Sequence, residues 1–224
     1  MTSVISPLFK ATAPTLSADL LCGQRGERPL FRGLSLALQP GQLVWLRGRN
    51  GRGKTSLLRL LAGLATPAQG RVLVDGQPVQ KVPEWRSRLL YIAHANALKD
   101  DLTVAESLRF LGRLQGRVPS ADEIGAALAR LGVASRRDAL VRTLSQGQRR
   151  RATLARLALP QPASIWLLDE PFDALDDEGV QALHGLIADQ TRRGGSVLLT
   201  SHQPTGLRDP QPQILDLDEF ALAA

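Results

Sequence analysis

The chain has 224 residues, of which 43% are hydrophobic and 22% are charged, and its one cysteine is Cys22. This composition excludes collagen-like, fibrous and disordered proteins, and a lone cysteine excludes an internal disulfide. The net charge of +7 comes from arginines scattered over the whole chain without an aromatic-interleaved basic motif, so we expect no nucleic acid partner.

The first half of the chain predicts two kinds of sheet. Residues 1–14 lack periodicity and are predicted to be a loose N-terminal extension, followed by a single domain over residues 15–224. Runs at 16–21 and 34–38 predict two strands of a small antiparallel sheet, joined by a turn-like stretch at 23–29. Further strands are predicted at 43–46, 72–74 and 89–92, with a helix over 57–64 and a tight turn at Asp75 and Gly76.

Residues 100–143 are predicted to form an inserted helical subdomain. Apolar residues recur there at three- and four-residue spacing over 104–114 and 121–131, which indicates two helices. A helix from about Ser145, a strand at 165–168, a helix over 177–192 and a strand at 197–200 follow. This alternation of strands and helices predicts an α/β fold with a mostly parallel sheet.

The sequence GRNGRGKT between the strand at 43–46 and the next helix matches a phosphate-binding loop. Glycines let such a loop turn its backbone N–H groups toward phosphate oxygens, in front of the positive end of the helix. Lys54 is predicted to reach the outer phosphates and Thr55 to bind Mg²⁺. The predicted phosphate-binding set is Gly48, Arg49, Asn50, Gly51, Arg52, Gly53, Lys54, Thr55 and Ser56.

The apolar strand at 165–168 ends in two carboxylates, Asp169 and Glu170. Alone, such a pair is more often a helix cap or a solvated turn. Beside a phosphate loop, however, the carboxyl end of a parallel strand opens into the ligand crevice. Asp169 is therefore predicted to hold Mg²⁺ and Glu170 to polarise the attacking water.

The motif LSQGQ at 144–148 resembles the signature sequence of the ABC ATPases, and residues 174–176 and 200–202 resemble that family's D-loop and switch histidine. The resemblance covers about residues 16–218. It implies a P-loop NTPase core with an antiparallel β subdomain, binding of ATP and Mg²⁺, and contact between His202 and the terminal phosphate. It also implies a homodimer in which Ser145, Gly147 and Gln148 complete the ATP site of the opposite subunit.

Two positions depart from the family pattern. The glutamine of the family's Q-loop is absent, since its expected position falls near Ala95. His94 or Asn96 could take its place, or the segment could be a plain loop. The connection at 23–29 has no aromatic residue to stack on adenine. Arg25 is predicted to stack there through its flat guanidinium, with an exposed surface arginine as the equal alternative.

Several longer segments, among them HANALKDDLT, LSQGQRRRATLARLAL and WLLDEPFDALD, look like the ATPase of the bacterial cytochrome c maturation system, described as a haem exporter. This resemblance implies an integral membrane permease and other cytochrome c maturation proteins as partners. It also implies a peripheral position on the cytoplasmic face of the inner membrane.

Charge and hydropathy are compatible with that position. The longest apolar runs fall far short of the roughly 20 residues that cross a bilayer, so we expect no transmembrane segment.

The alternative functions are those of another ABC exporter ATPase, of a soluble ABC ATPase acting on nucleic acid or ribosomes, and of a regulator that does not hydrolyse ATP. The run of Arg149, Arg150 and Arg151 is interpreted as a solvated or nucleotide-adjacent basic face.

Overall fold

A computed structural model of the protein describes residues 14–160 and 164–221. The predicted N-terminal extension, apart from Pro14, lies outside the described residues. Within the part that is described, no helix combines the length and the apolar character needed to cross a bilayer.

A four-stranded antiparallel sheet occupies one side of the molecule. It contains β1 (Leu16–Arg25), β2 (Arg28–Leu38), β4 (Gln69–Val74) and β5 (Gln77–Pro78), in the order β2-β1-β4-β5. The predicted antiparallel pair is confirmed, but the predicted connection at 23–29 is wrong. Only Gly26 and Glu27 form the turn, since Gly26 adopts the positive φ of 60° that a two-residue hairpin turn requires.

The second sheet is parallel and holds five strands. These are β3 (Leu43–Arg47), β6 (Leu89–Ile92), β7 (Ile165–Leu168), β8 (Ser196–Thr200) and β9 (Gln213–Asp216), in the order β6-β7-β8-β3-β9. Every residue of β7 and β8 is buried, as expected for strands covered on both faces. The sequence did not predict β9, which is short, partly exposed and lies in a proline-rich stretch.

In the described residues, α-helices and several short 3-10 helices carry the remaining regular structure; the α-helices are α1 (Lys54–Leu61), α2 (Val104–Leu114), α3 (Ala121–Arg130), α4 (Gln146–Leu154) and α5 (Asp177–Arg192). Helix α1 begins three residues before its predicted start, with Gly53 as its N-cap. Helices α2, α3 and α4 each begin with a capping box, at Thr103, Ser120 and Ser145. Such caps satisfy N–H groups that the first helical turn leaves unpaired.

Two apolar clusters lie on opposite faces of the parallel sheet. Trp166 and Leu168 of β7 pack into the cluster under the helices that follow residue 100, whereas Ile165 and Leu167 pack into the cluster beneath α1 and the antiparallel sheet. This alternation follows from the two-residue period of a strand. The sheet therefore separates the two clusters, and the carboxyl ends of its strands meet at one edge.

Candidate functional site

The loop between β3 and α1 is shaped by glycines. Gly48, Gly51 and Gly53 have φ angles of 140°, 76° and 111°, in a region that side chains disfavour. Gly53 also packs closely, since a Cβ there would lie 3.1 Å from the Leu30 side chain. A tightly curled loop thus precedes the first turn of α1.

An open cavity of about 350 Å³ lies in front of this loop. Lys54 is 9% exposed, and its Nζ donates to the Gly48 carbonyl oxygen at 2.8 Å. The cavity is lined by residues of the loop and of the start of α1, namely Arg49, Asn50, Gly51, Gly53, Lys54, Thr55 and Ser56, and by residues that follow other strands of the parallel sheet, namely His94, Asp169, Glu170 and His202. The structure therefore brings most of the predicted phosphate-binding set together with both predicted hydrolytic groups.

Two predicted loop residues, Arg49 and Arg52, contact Asp218. Arg52 Nε donates to Asp218 Oδ1 at 2.6 Å, and the backbone N–H of Arg49 donates to Asp218 Oδ2 at 3.1 Å. The hydrogen bond from Arg52 holds the pKa of the Asp218 carboxyl below its ordinary value. Neither Arg52 nor Gly48 lines the cavity. Asp218 thus ties the loop to the segment after β9, a link that the sequence did not predict.

Asp169 is buried and fixed by two hydroxyl groups. Thr55 Oγ1 donates to its Oδ2 at 2.8 Å, and Thr200 Oγ1 donates to its Oδ1 at 3.0 Å. Thr200 Oγ1 also accepts from the backbone N–H of Glu170 at 2.8 Å. One threonine of β8 therefore holds both carboxylate residues that follow β7.

The pair of Thr55 and Asp169 suits Mg²⁺. Both offer hard oxygen atoms, which this ion prefers, and Mg²⁺ usually keeps several water ligands alongside one or two protein groups and substrate phosphates. The described residues contain no cluster of three or more His, Cys, Asp or Glu side chains that would form an all-protein metal site. This donor set therefore fits a magnesium ion that arrives with its nucleotide.

Glu170 occupies an unusual environment. Its backbone has a φ of 47°, and its side chain is buried. Its Oε2 accepts from the backbone N–H of His202 at 3.1 Å, and its Oε1 lies 3.4 Å from His202 Nε2. Burial raises the pKa of the Glu170 carboxyl, an effect that His202 opposes and Asp173 reinforces. A carboxylate with a raised pKa at a cavity wall is suited to accept a proton.

The signature residues lie in a separate cavity of about 430 Å³. Ser145 caps α4, its Oγ accepting from the Gln148 backbone N–H at 3.3 Å, while Gln148 Oε1 accepts from the Ser145 N–H at 3.2 Å. Gly147 lines the same cavity, together with Asp176. The structure therefore does not bring Ser145, Gly147 and Gln148 to the cavity of Lys54 within one chain.

Of the two alternatives predicted for the three consecutive arginines, a solvated or a nucleotide-adjacent basic face, the solvated one is wrong for Arg150 and Arg151. Arg150 is 2% exposed and Arg151 is 9% exposed. Arg151 donates to the Leu131 carbonyl oxygen at 3.0 Å and pairs with Asp176. Only Arg149 is partly exposed, and it pairs with Asp100 at 2.9 Å. Helical spacing alone gave no signal of this burial, because the acceptors come from distant segments.

Arg150 is the most highly connected of these side chains. Its guanidinium donates to the carbonyl oxygens of Asp169 at 3.1 Å, Glu170 at 2.6 Å and Pro171 at 3.4 Å. It also donates to three acceptors on the loop after β6: the carbonyl oxygens of Ala93 and His94 and the side-chain oxygen of Asn96, at 3.1, 3.4 and 3.5 Å. One side chain of α4 therefore connects the loop after β6 to the end of β7.

The two positions that depart from the family pattern both lie near the cavity. Arg25, at the end of β1, lines the cavity together with Leu30. Ala95 is exposed and carries no polar side-chain atom, while Asn96 faces Arg150. His94 lines the cavity, and its Nδ1 lies 3.4 Å from Asp173 Oδ2.

Comparisons with known proteins agree with this geometry. The model of the ABC transporter family matches residues 31–173. The chain is 46% identical to the cytochrome c biogenesis ATP-binding export protein CcmA of Aromatoleum aromaticum, with 96% of this chain and 100% of the relative covered. It is 44% identical to the protein of that name from Pseudomonas syringae pv. syringae, with 93% and 97% covered.

Solved structures agree as well. An ATP-binding subunit of an ABC transporter superimposes with a TM-score of 0.74 at 25% identity, with 84% of this chain and 79% of that chain covered. A bacterial Atm1-family ABC exporter with ATP bound superimposes with a TM-score of 0.80 at 26% identity. It covers 100% of this chain, which matches 41% of the exporter.

We expect Arg150→Gln to lower the free energy of unfolding by about 3 kcal/mol, because it leaves several buried carbonyl oxygens without a donor. Urea denaturation of the purified protein measures this change. The matched control is Arg142→Gln, since Arg142 pairs with Asp101 at 3.2 Å on the surface, where 60% and 90% of the two side chains are exposed. That control should cost less than about 1 kcal/mol. Equal losses in the two variants would contradict the role of Arg150.

Proposed function

The chain belongs to the ABC transporter family of ATP-binding proteins, and we propose that it is the ATP-hydrolysing subunit of an exporter that energises haem handling in cytochrome c biogenesis. The observation that carries the ATPase part is the single cavity shared by Lys54, Thr55, Asp169, Glu170 and His202. The curated relatives that are named cytochrome c biogenesis export proteins support the biological assignment.

In the proposed mechanism, the loop before α1 binds the phosphates of ATP. Its backbone N–H groups and the N-terminus of α1 favour negative charge, and the Lys54 ammonium adds a full positive charge at the outer phosphates. The Lys54 Nζ donates to the Gly48 carbonyl oxygen at 2.8 Å. Lys54 is thus already positioned along the loop when ATP enters. Arg25 is proposed to stack on adenine at the rim.

Thr55 and Asp169 are proposed to hold Mg²⁺. When bound, magnesium supplies charge neutralisation at the phosphate oxygens. Thr200 keeps the Asp169 carboxylate in place through its hydrogen bond at 3.0 Å. The carboxylate therefore needs little rearrangement when the metal arrives.

Glu170 is proposed to polarise the attacking water, with His202 beside it. The backbone N–H of His202 orients the carboxylate, and the imidazole lies 3.4 Å from Oε1. From that position the imidazole can also contact the terminal phosphate. Two neighbouring groups, one accepting the proton from water and one donating to the developing negative charge, match the needs of phosphoanhydride hydrolysis.

We further propose a homodimer in which Ser145, Gly147 and Gln148 of one subunit complete the ATP site of the other. The separate cavity in front of the α4 N-terminus supports this, because a helix N-terminus attracts phosphate. The membrane partner is proposed to be an integral permease that works with other cytochrome c maturation proteins. The proposed location is the cytoplasmic face of the bacterial inner membrane.

We expect Lys54→Ala to reduce ATP turnover by roughly a hundredfold or more, because the outer phosphates lose their main cationic partner. Phosphate release by the purified protein and calorimetric titration with ATP measure the two effects. Lys81→Ala is the control, since Lys81 is exposed in a short 3-10 helix outside the cavity. Undiminished turnover in the Lys54 variant would refute the phosphate-loop assignment.

Glu170→Gln is expected to retain ATP, to lower turnover by about a hundredfold or more, and to accumulate a nucleotide-bound dimer, because glutamine preserves the shape of the carboxylate but accepts no proton. Light scattering with Mg-ATP measures the dimer, and the exposed Glu84→Gln is the control. Turnover by the wild-type protein should fall as pH drops through the pKa of Glu170, which burial raises. Wild-type turnover in the Glu170 variant would remove this residue from catalysis.

The biological assignment is tested by recovering the tagged chain from detergent-solubilised native membranes and assaying ATPase activity on the complex. We expect a multi-span permease together with cytochrome c maturation proteins. We expect the Glu170→Gln variant to stabilise the nucleotide-bound complex in the same experiment, so that more of the complex is recovered. Recovery of a different permease, or of ribosomes or DNA, would reject the haem assignment and leave the ATPase in place.

A further inference from the structure

The loop after β6 forms part of the cavity wall opposite the phosphate loop. Its backbone is held in two places by Arg150, through the carbonyl oxygens of Ala93 and His94 at 3.1 and 3.4 Å. The same guanidinium binds the carbonyl oxygen of Glu170 at 2.6 Å. This loop and the backbone of Glu170 are therefore attached to one guanidinium group.

Of the side chains at positions 94 to 96, only one can offer a polar group to the cavity. Ala95 has none, and the Asn96 side-chain oxygen lies 3.5 Å from Arg150 Nη1. The His94 ring lines the cavity together with Lys54 and His202. The geometry therefore selects His94 among the polar candidates of this loop.

The orientation of the His94 ring is set by Asp173. Its Nδ1 lies 3.4 Å from Asp173 Oδ2, on the turn where the Asp173 backbone N–H donates to the Glu170 carbonyl oxygen at 3.3 Å. A ring that uses Nδ1 toward a carboxylate has its other nitrogen, Nε2, available for a ligand. Such a carboxylate–imidazole pair fixes which nitrogen is presented, as it does in many hydrolytic and metal sites.

We propose that His94 is a second histidine of the ATP site and that, with a proton on each ring nitrogen, it donates from Nδ1 to Asp173 and from Nε2 to an oxygen of the terminal phosphate. Asp173 and Arg150 are its positioning residues, the first acting on the ring and the second on the backbone. The inference rests on the proposed ATP site and adds to it a residue on the side of the cavity opposite Lys54. Two histidines, His94 and His202, then flank Glu170.

This contact would distinguish ATP from ADP, because only ATP carries the terminal phosphate. The loss of a hydrogen bond to a charged group in a partly enclosed site reduces affinity on the order of tenfold. Removal of His94 should therefore weaken ATP binding selectively. A residue that merely supported the fold would weaken both nucleotides alike.

The test is calorimetric titration of the full-length protein with Mg-ADP and with a non-hydrolysable Mg-ATP analogue that has a nitrogen bridge between its last two phosphates. The variants are His94→Ala, His94→Gln and, as a control on the same loop, Lys99→Gln, since Lys99 is exposed and does not line the cavity. The His94 side chain is 67% exposed, so its replacement should leave the melting temperature close to that of the wild type. Thermal melts verify this for each variant.

We expect His94→Ala to bind the ATP analogue about tenfold more weakly while its affinity for ADP stays unchanged. His94→Gln should recover part of the loss, since its amide can donate, and Lys99→Gln should match the wild type. Unchanged affinity for the analogue, or an equal loss for both nucleotides, would overturn the proposed role of His94 and leave the proposed ATP site in place. Failure of the wild-type protein to bind either nucleotide would instead overturn the proposed ATP site and this inference with it.

Discussion

The buried guanidinium of Arg150 is the interaction on which the geometry of the site most depends. A positive charge removed from water is costly unless hydrogen bonds replace its hydration. Burial accordingly lowers the pKa of Arg150, although Asp173, Asp169 and Glu170 counteract this. Its donors meet six acceptors on two segments, the loop after β6 and the end of β7. If either segment moved alone, the buried guanidinium would lose some of its hydrogen bonds. Helix α4, the loop after β6 and the residues that carry the catalytic carboxylates are therefore constrained to move together.

The order of strands in the parallel sheet accounts for the rest of the site. The strands lie in the order β6, β7, β8, β3 and β9. Their carboxyl ends are followed, in that order, by His94, Glu170, His202, the phosphate loop and Asp218. Several contacts in the site join neighbours in this row: His94 with the turn after β7, Glu170 with His202, and the phosphate loop with Asp218. The hydrogen bond from Thr55 to Asp169 instead spans β8, which lies between β3 and β7. Sheet topology therefore determines which side chains meet, and local hydrogen bonds from threonines determine their final geometry.

The sequence predicted those parts of the molecule whose pattern is local. Buried strands such as β7 and amphipathic helices such as α2 were located to the residue, because their apolar spacing directly reflects burial. The phosphate loop and the two carboxylates were found from motif and strand context. Arg150, Asp173 and Asp218 were missed as site residues, since their partners lie on segments far away in sequence. A charged residue in a helix gives no local sign of whether it faces water or a set of distant carbonyl oxygens.

The separation of the two cavities links hydrolysis to assembly. The phosphate loop borders one apolar cluster through Leu30 and α1, whereas the capped start of α4 follows Leu144 of the other cluster, across the parallel sheet. A single chain thus presents two phosphate-attracting helix N-termini in two different cavities. Under the proposed two-subunit arrangement, one ATP would join a phosphate loop to the α4 N-terminus of the other chain. Because Arg150 lies on α4 of that chain and binds the carbonyl oxygens at its own Glu170, closure at one ATP site would be transmitted to the catalytic carboxylate of the other.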